Sequence, residues 1–384
     1  MSMAWLGPVW GLLIVLLSIT PAKPDTLVAI YHRAADLNAA LFSIAPDQTT
    51  YVSTGDIDAM WLRDSSIQAR SLLHNKRLVR GVIARQQRLI TIDPYANAFY
   101  ANYLPVEQKF EIDSLCYPVL LADDYGRVMH DSGVYNNALR DEMFVVLFTL
   151  EVEQHHATQS HYHRNEQPID PNAGLIWSAF RPSDEPQVYN YNVPENMLAA
   201  VTLRTMARLF REFYGDESNG LRAEIMASTI EDAITRRAIF KTAFGRIYAY
   251  EIDGLGHAKF MDDANTPSLL AAPLFGYPLD PAVYANTRRF ILNPANPYYY
   301  HGRFAAGIGS SHTPQNYVWP LSLMVQYRTA SDKDEKRMIV RALAKSSTGD
   351  GTLHESFDVN DPHKYTRQSF GWVNALFEQT FHAR

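Results

Sequence analysis

Apolar positions recur at helical spacing over most of the chain. Leu27, Ile30, Tyr31, Leu37 and Leu41 mark a first amphipathic helix, and Ile67, Leu72, Leu73, Val79, Val82 and Ile83 a second. The clearest stripe lies in 195–213, where Met197, Val201, Met206, Leu209, Phe210 and Phe213 share one face. Further helices are predicted at about 141–154, 221–240, 281–292, 315–328, 332–346 and 367–381. Asp280-Pro281 and Thr313-Pro314 each place a capping side chain before a proline, so helices are expected to start there. Period-two alternation is rare, and 245–251 is the best hairpin candidate. Connections rich in Pro, Gly, Asn and Tyr fill 93–106, 160–192, 293–313 and 349–366. Loops this long inside a compact domain usually carry function. With no linker and no repeat in mid-chain, the pattern predicts one all-α domain over 23–384, its helices stacked as hairpins and its long loops gathered on one face.

The first 22 residues are of another kind: an apolar run over 11–19 ends in Thr20-Pro21-Ala22. This reads as a secretory signal peptide cleaved near Ala22, and hence an exported protein. No Lys or Arg precedes the run, which keeps an uncleaved N-terminal anchor as the alternative. No other stretch approaches the about 18 apolar residues needed to span a bilayer.

Charge narrows the function. The 384 residues carry a net charge of -6 without a basic stripe, which argues against nucleic acid as a partner. The single cysteine, Cys116, sits among apolar residues and is expected to be a buried, inert thiol. The unusual count is aromatic: 22 Tyr, 18 Phe and 6 Trp recur beside Asn, Asp, His and Gly. Sugar clefts use such mixtures, rings covering the apolar faces of pyranosides while amides and carboxylates take the hydroxyls.

Four segments concentrate polar and aromatic residues beyond what packing requires. Residues 53–66 bring Asp56, Trp61, Arg63 and Asp64 to a helix entrance, where Asp64 alone has capping as an alternative role. Residues 178–185 set Asp184 and Glu185 beside Pro182 and Phe180, followed by Tyr191 and Asn196. A carboxyl partly desolvated in this way suits general acid work, although Pro-Ser-Asp is also ordinary turn chemistry. Residues 307–314 form a Gly-rich loop with His312, lacking the Lys of a phosphate loop. Residues 352–358 hold His354-Glu355, which is no zinc-protease motif because position 358 is Asp; Glu355 suits a general base. His155, His156, His161 and His163 crowd one stretch, read as a flexible loop, with a metal site as the alternative. The doublets Asp123-Asp124 and Asp262-Asp263 lack calcium-loop spacing.

Taken with 109–118, Gly254 to His257 and Met261 to Asn265, these segments resemble the exo-α-1,6-mannosidases of glycoside hydrolase family 125, colinearly from about residue 45 to the C-terminus. The resemblance implies an (α/α)6 barrel and metal-independent, cofactor-free, inverting removal of terminal α-1,6-linked mannose from a mannose-containing oligosaccharide or N-glycan. It implies Asp184 as general acid, with Glu185 in reserve, and Glu355 as general base. Asp56, Arg63, Asp64, Asp113, Asn196 and His312 would hold the hydroxyls, and Trp61 or Tyr191 would supply an apolar platform. The rivals are another glycosidase on the same toroid and a non-catalytic glycan-binding protein.

Overall fold

The computed structural model describes residues 24–347 and 351–381. The expected signal peptide, 1–22, lies outside the described residues. Among those described are twelve α-helices: α1 (Pro24–Ala39), α2 (Leu62–Arg70), α3 (Lys76–Ile92), α4 (Ile112–Val128), α5 (Asn137–Gln154), α6 (His156–Gln159), α7 (Val193–Tyr214), α8 (Glu217–Arg237), α9 (Pro281–Ile291), α10 (Pro320–Thr329), α11 (Lys333–Ser346) and α12 (Gly371–Thr380). None is long and apolar enough to cross a membrane.

The helices pack in a cyclic order. α2 lies on α4, α4 on α7, the 3-10 turn Ala272–Phe275 bridges α7 to α10, and α10 packs on α12, which returns to α2. Around these stand α1 against α12, α3 against α2 and α4, α5 against α4 and α7, α8 along α7, and α11 against α10. The surrounded helices are buried over most of their residues; in α2 every residue from Leu62 to Ala69 is buried. Their apolar faces therefore widen beyond one stripe.

Several expectations are corrected. The single helix expected over 67–83 is two, because Ser71–Asn75 turns and the Asn75 side chain accepts from the Leu78 N–H at 3.3 Å to start α3. α4 escaped notice because it carries Pro118 inside it and opens on polar residues. Thr313-Pro314 starts no helix: Tyr317–Val318 pairs as a strand with Phe357–Asp358, and Pro320 opens α10 instead. Thr313 Oγ1 instead accepts the Trp319 indole N–H at 2.9 Å. Asp280-Pro281 does start α9, its carboxylate accepting from the Ala282 and Val283 N–H groups. The hairpin is present as Ile239–Thr242 with Gly245–Tyr248. An all-α description is too simple, since among the described residues fifteen strands of two to six residues form six small sheets between the helices. Their brevity leaves too few alternating positions to read. Cys116 is buried and free, as expected.

Candidate active site

The N-terminal ends of α2, α4, α7, α10 and α12 carry Arg63 and Asp64, Asp113, Glu195, Trp319 and Trp372. A cavity of about 240 Å³ opens there, lined among others by Trp61, Arg63, Asp64, Asp184, His312 and Glu355. Trp372 lines this cavity and also a second one, of about 490 Å³, toward the C-terminal ends of the same helices.

Short sheets deliver the loop residues. Met60–Trp61 pairs with Ala98–Phe99, which pairs with Pro105–Glu107, so Trp61 and the Asn97 amide stand at one edge. Asn97 Nδ2 donates to Asp184 Oδ1 at 3.2 Å and to Glu107 Oε1 at 3.1 Å. Asp184 adopts the left-handed region, φ 63°, in a tight turn where its N–H donates to Arg181 O at 2.9 Å and the Arg181 N–H to Glu185 O at 2.9 Å. A non-glycine residue there is a local cost that surrounding contacts must hold in place. Buried Arg181 does so, pairing with Glu251, whose other oxygen accepts the Val188 and Tyr189 N–H groups at 3.0 and 3.2 Å. Of the two adjacent acids Asp184 lines the cavity, while Glu185 turns to His312 Nδ1 at 3.0 Å.

The centre of the site is Arg63, 3% exposed. Its guanidinium lies 2.9 Å from Glu111, 3.2 Å from Asp113, 3.5 Å from Asp64 and 3.8 Å from Asp184. One cation cannot neutralise that many buried carboxylates, so some must keep protons. Burial, with the neighbouring Asp184 charge, pushes Glu111 well up; Glu195 is likewise pushed up by burial and Asp113. Burial also acts to raise Asp184, but the hydrogen bond from Glu111 and the charges of Arg63 and Lys109 outweigh it and hold Asp184 low. Arg63 thus stands between two electrostatically coupled carboxyl pairs, Glu111 with Asp184 and Glu195 with Asp113. Burial pushes Asp64 up to about 6 against the pull of Arg63. Glu355, 4% exposed, is also raised by burial, and Arg367, 3.9 Å away, opposes that shift.

The structure brings Trp61, Arg63, Asp64, Asp184, His312 and Glu355 to one cavity. Asp64 sits inside the first turn of α2 and caps nothing; the cap position is Trp61. Asp56 stands at the exposed rim and accepts from Arg367 Nε at 2.7 Å. Three expected contact residues lie behind the wall. Asp113 is fully buried against Arg63, and the Tyr191 hydroxyl donates to Asp170 O at 2.9 Å. The Asn196 amide is consumed by Ile176 and by Asn192 O at 2.8–3.0 Å. These polar groups serve the fold, because buried amides and hydroxyls must find partners. The doublet Asp262-Asp263 is likewise internal: Asp262 accepts from the Leu269 and Leu270 N–H groups, and Asp263 from Ser310 Oγ. Sequence reasoning missed Glu111, Asn97, Arg367 and Trp372. Glu111 was signalled by its place in the polar start of 109–118; the others carry no local signal.

Comparison with known proteins identifies the family. The family model of metal-independent alpha-mannosidases (GH125) matches residues 19–105 and 102–382. The Meiotically up-regulated gene 157 protein of Schizosaccharomyces pombe is 33% identical over 93% of this chain and 79% of its own. A Streptococcus pneumoniae metal-independent alpha-mannosidase, solved in a non-productive complex with alpha-1,6-mannobiose, superposes with a TM-score of 0.88 at 36% identity over 93% of both chains. A GH78 rhamnosidase of Bacillus sp. GL1 shares the fold alone, with a TM-score of 0.64 at 12% identity over 92% of this chain and 34% of its own. The chain belongs to the GH125 family of metal-independent alpha-mannosidases.

Proposed function

We propose that this alpha-mannosidase is exo-acting and inverting, and that it releases terminal α-1,6-linked mannose through Asp184 as general acid and Glu355 as general base. The observation that carries this reading is that both carboxyls line one small cavity. Inversion requires an acid on the leaving-group side and a base on the opposite face, separated by about 6.5–9.5 Å so that a water fits between them. Glu111, raised by burial, holds a proton beside Asp184, and Asp184 passes a proton to the glycosidic oxygen. Glu355 takes a proton from water as the water attacks the anomeric carbon, and its raised basicity suits that task.

The remaining cavity residues divide the sugar between them. Arg63 and Asp64 offer a rigid donor and acceptor to adjacent hydroxyls, Trp61 gives a ring face, and His312 reaches in from the rim. The cyclic order of helices supports an (α/α)6 barrel, formed as a single domain, with the pocket at the N-terminal ends of its inner ring. Those five helix ends direct partial positive charge at the site, which favours the cluster of acids there. Export by the N-terminal segment completes the reading and would place the enzyme beside extracytoplasmic glycans.

A proton NMR time course with α-1,6-mannobiose tests it. Initial β-mannose supports inversion across a water; initial α-mannose overturns the assignment of Glu355 as a base, and absence of release overturns the linkage.

A further inference from the structure

Away from the cavity, the histidine-rich stretch is ordered by a carboxylate lattice. Each ring nitrogen of buried His156 faces an acid: Nδ1 is 2.6 Å from Glu153 Oε2, and Nε2 is 3.0 Å from Glu166 Oε1. His163 Nδ1 approaches the same Glu166 oxygen at 2.8 Å. The three groups His156, His163 and Glu166 present ligand atoms within 4.8 Å of one another. Glu153 is fully buried and held by the Tyr95 hydroxyl at 2.7 Å and Ser160 Oγ at 2.6 Å. The His156 ring itself stacks on Trp177 at 3.7 Å.

A neutral imidazole has a single N–H and satisfies one of the two contacts made by His156; both are met either by an imidazolium, which has two N–H donors, or by an ion on one nitrogen. A divalent ion on Nε2, with Nδ1–H donating to Glu153, satisfies both. That is the arrangement in which an outer carboxylate fixes the tautomer of a metal-bound histidine. The geometry points to a zinc site formed by His156, His163 and Glu166, with Glu153 orienting His156. Ligands at about 2.0–2.2 Å around one tetrahedral zinc stand roughly 3.3–3.6 Å apart, so shifts of under about 1 Å seat the ion, and water completes the set. Imidazole nitrogen with a carboxylate oxygen suits zinc better than the hard cations, which prefer oxygen alone.

The ion would pin the loop that braces the proposed acid. The Tyr162 hydroxyl donates to Gln108 O at 2.7 Å and accepts the Phe110 N–H at 3.2 Å, immediately before Glu111. Asn165 Nδ2 donates to Ala179 O at 2.9 Å and Gln187 O at 3.0 Å, on either side of Asp184. The role is structural and lies outside the bond-breaking step, in keeping with a metal-independent family.

The test uses the full chain, stripped with EDTA, re-equilibrated with Zn2+ and gel-filtered. The wild type is expected to retain one zinc per chain and to melt at a higher temperature with it. His163→Ala and Glu166→Gln, both at exposed positions, should each bind zinc roughly tenfold or more weakly. Zinc should also slow amide exchange over 108–110 and 178–190 in the wild type alone. Failure of the wild type to retain zinc, or equal retention by both variants, overturns the site.

Discussion

Arg367 stands 3.9 Å from Glu355 while its Nε donates to Asp56 at 2.7 Å, so a rim carboxylate orients the cation that faces the proposed base. Glu355 must be ionised to act, and activity therefore falls as pH drops through its pKa. Removing the cation raises that pKa. Arg367→Ala should move the acidic limb of the kcat/KM profile upward, and Asp56→Asn, which removes a carboxylate charge that raises Glu355, should move it downward. A limb left in place by Arg367→Ala would show that another group sets it.

Glu111 makes the opposite prediction for the basic limb. The acid must carry a proton, and activity is lost as pH rises through the pKa of the Glu111–Asp184 pair. Glu111→Gln still donates to Asp184 but has no proton to share, which favours the ionised form. The basic limb should move to lower pH and kcat fall by roughly 10²-fold or more. Stopped assays across pH, with circular dichroism to verify folding, decide it.

Tyr191 and Asn196 test the line between site and scaffold. Tyr191→Phe removes one buried hydrogen bond and should cost about 1 kcal/mol in urea unfolding with KM for α-1,6-mannobiose unchanged. Asn196→Ala strands the Ile176 N–H and C=O and should cost about 1–3 kcal/mol. A raised KM in Tyr191→Phe at unchanged stability would return that ring to the sugar pocket.

Glu142 on α5 concerns stability alone. It is buried with no hydrogen-bond partner for Oε1, and burial pushes its carboxyl from 4.5 up to about 8. The unfolded chain releases this proton near 4.5 and the folded chain only near 8, so its contribution is intact below 4.5 and lost as pH rises toward 8. Glu142→Gln has nothing to release. It should match the wild type at pH 4 and exceed it at pH 8 by a few kcal/mol, of the order set by that shift. Parallel denaturation curves at the two pH values measure the difference.

What could be read from the chain was the list of motifs; what could not was the direction each side chain takes. Arg63 and Asp64 were legible because two adjacent opposite charges beside Trp61 and Asp56 exceed what capping a helix requires. Asp113 has the same chemistry one motif later, but the first turn of α4 aims it at Arg63 and not at the cavity. Tyr191 and Asn196 look like sugar ligands in sequence, and only the neighbouring backbone groups of 170–176 and Asn192 reveal their use. Arg367 and Asn97 stayed invisible because they act across 311 and 87 residues of chain. Most helices were legible, α4 excepted, and helix breaks were not, since Asn75 and Pro320 outcompete longer apolar runs.

Trp372, shared by the two cavities, has a kinetic consequence. A wall at that depth turns the pocket into a cul-de-sac, so a polymer cannot thread through it and a freed monosaccharide has to retreat by the route it came in. The shortened glycan then blocks the exit until it dissociates. In the proposed reaction departure would then be ordered, aglycone first, and each mannose removed would require a fresh encounter. Slow loss of the trimmed glycan, and not bond cleavage, would then limit turnover on large substrates.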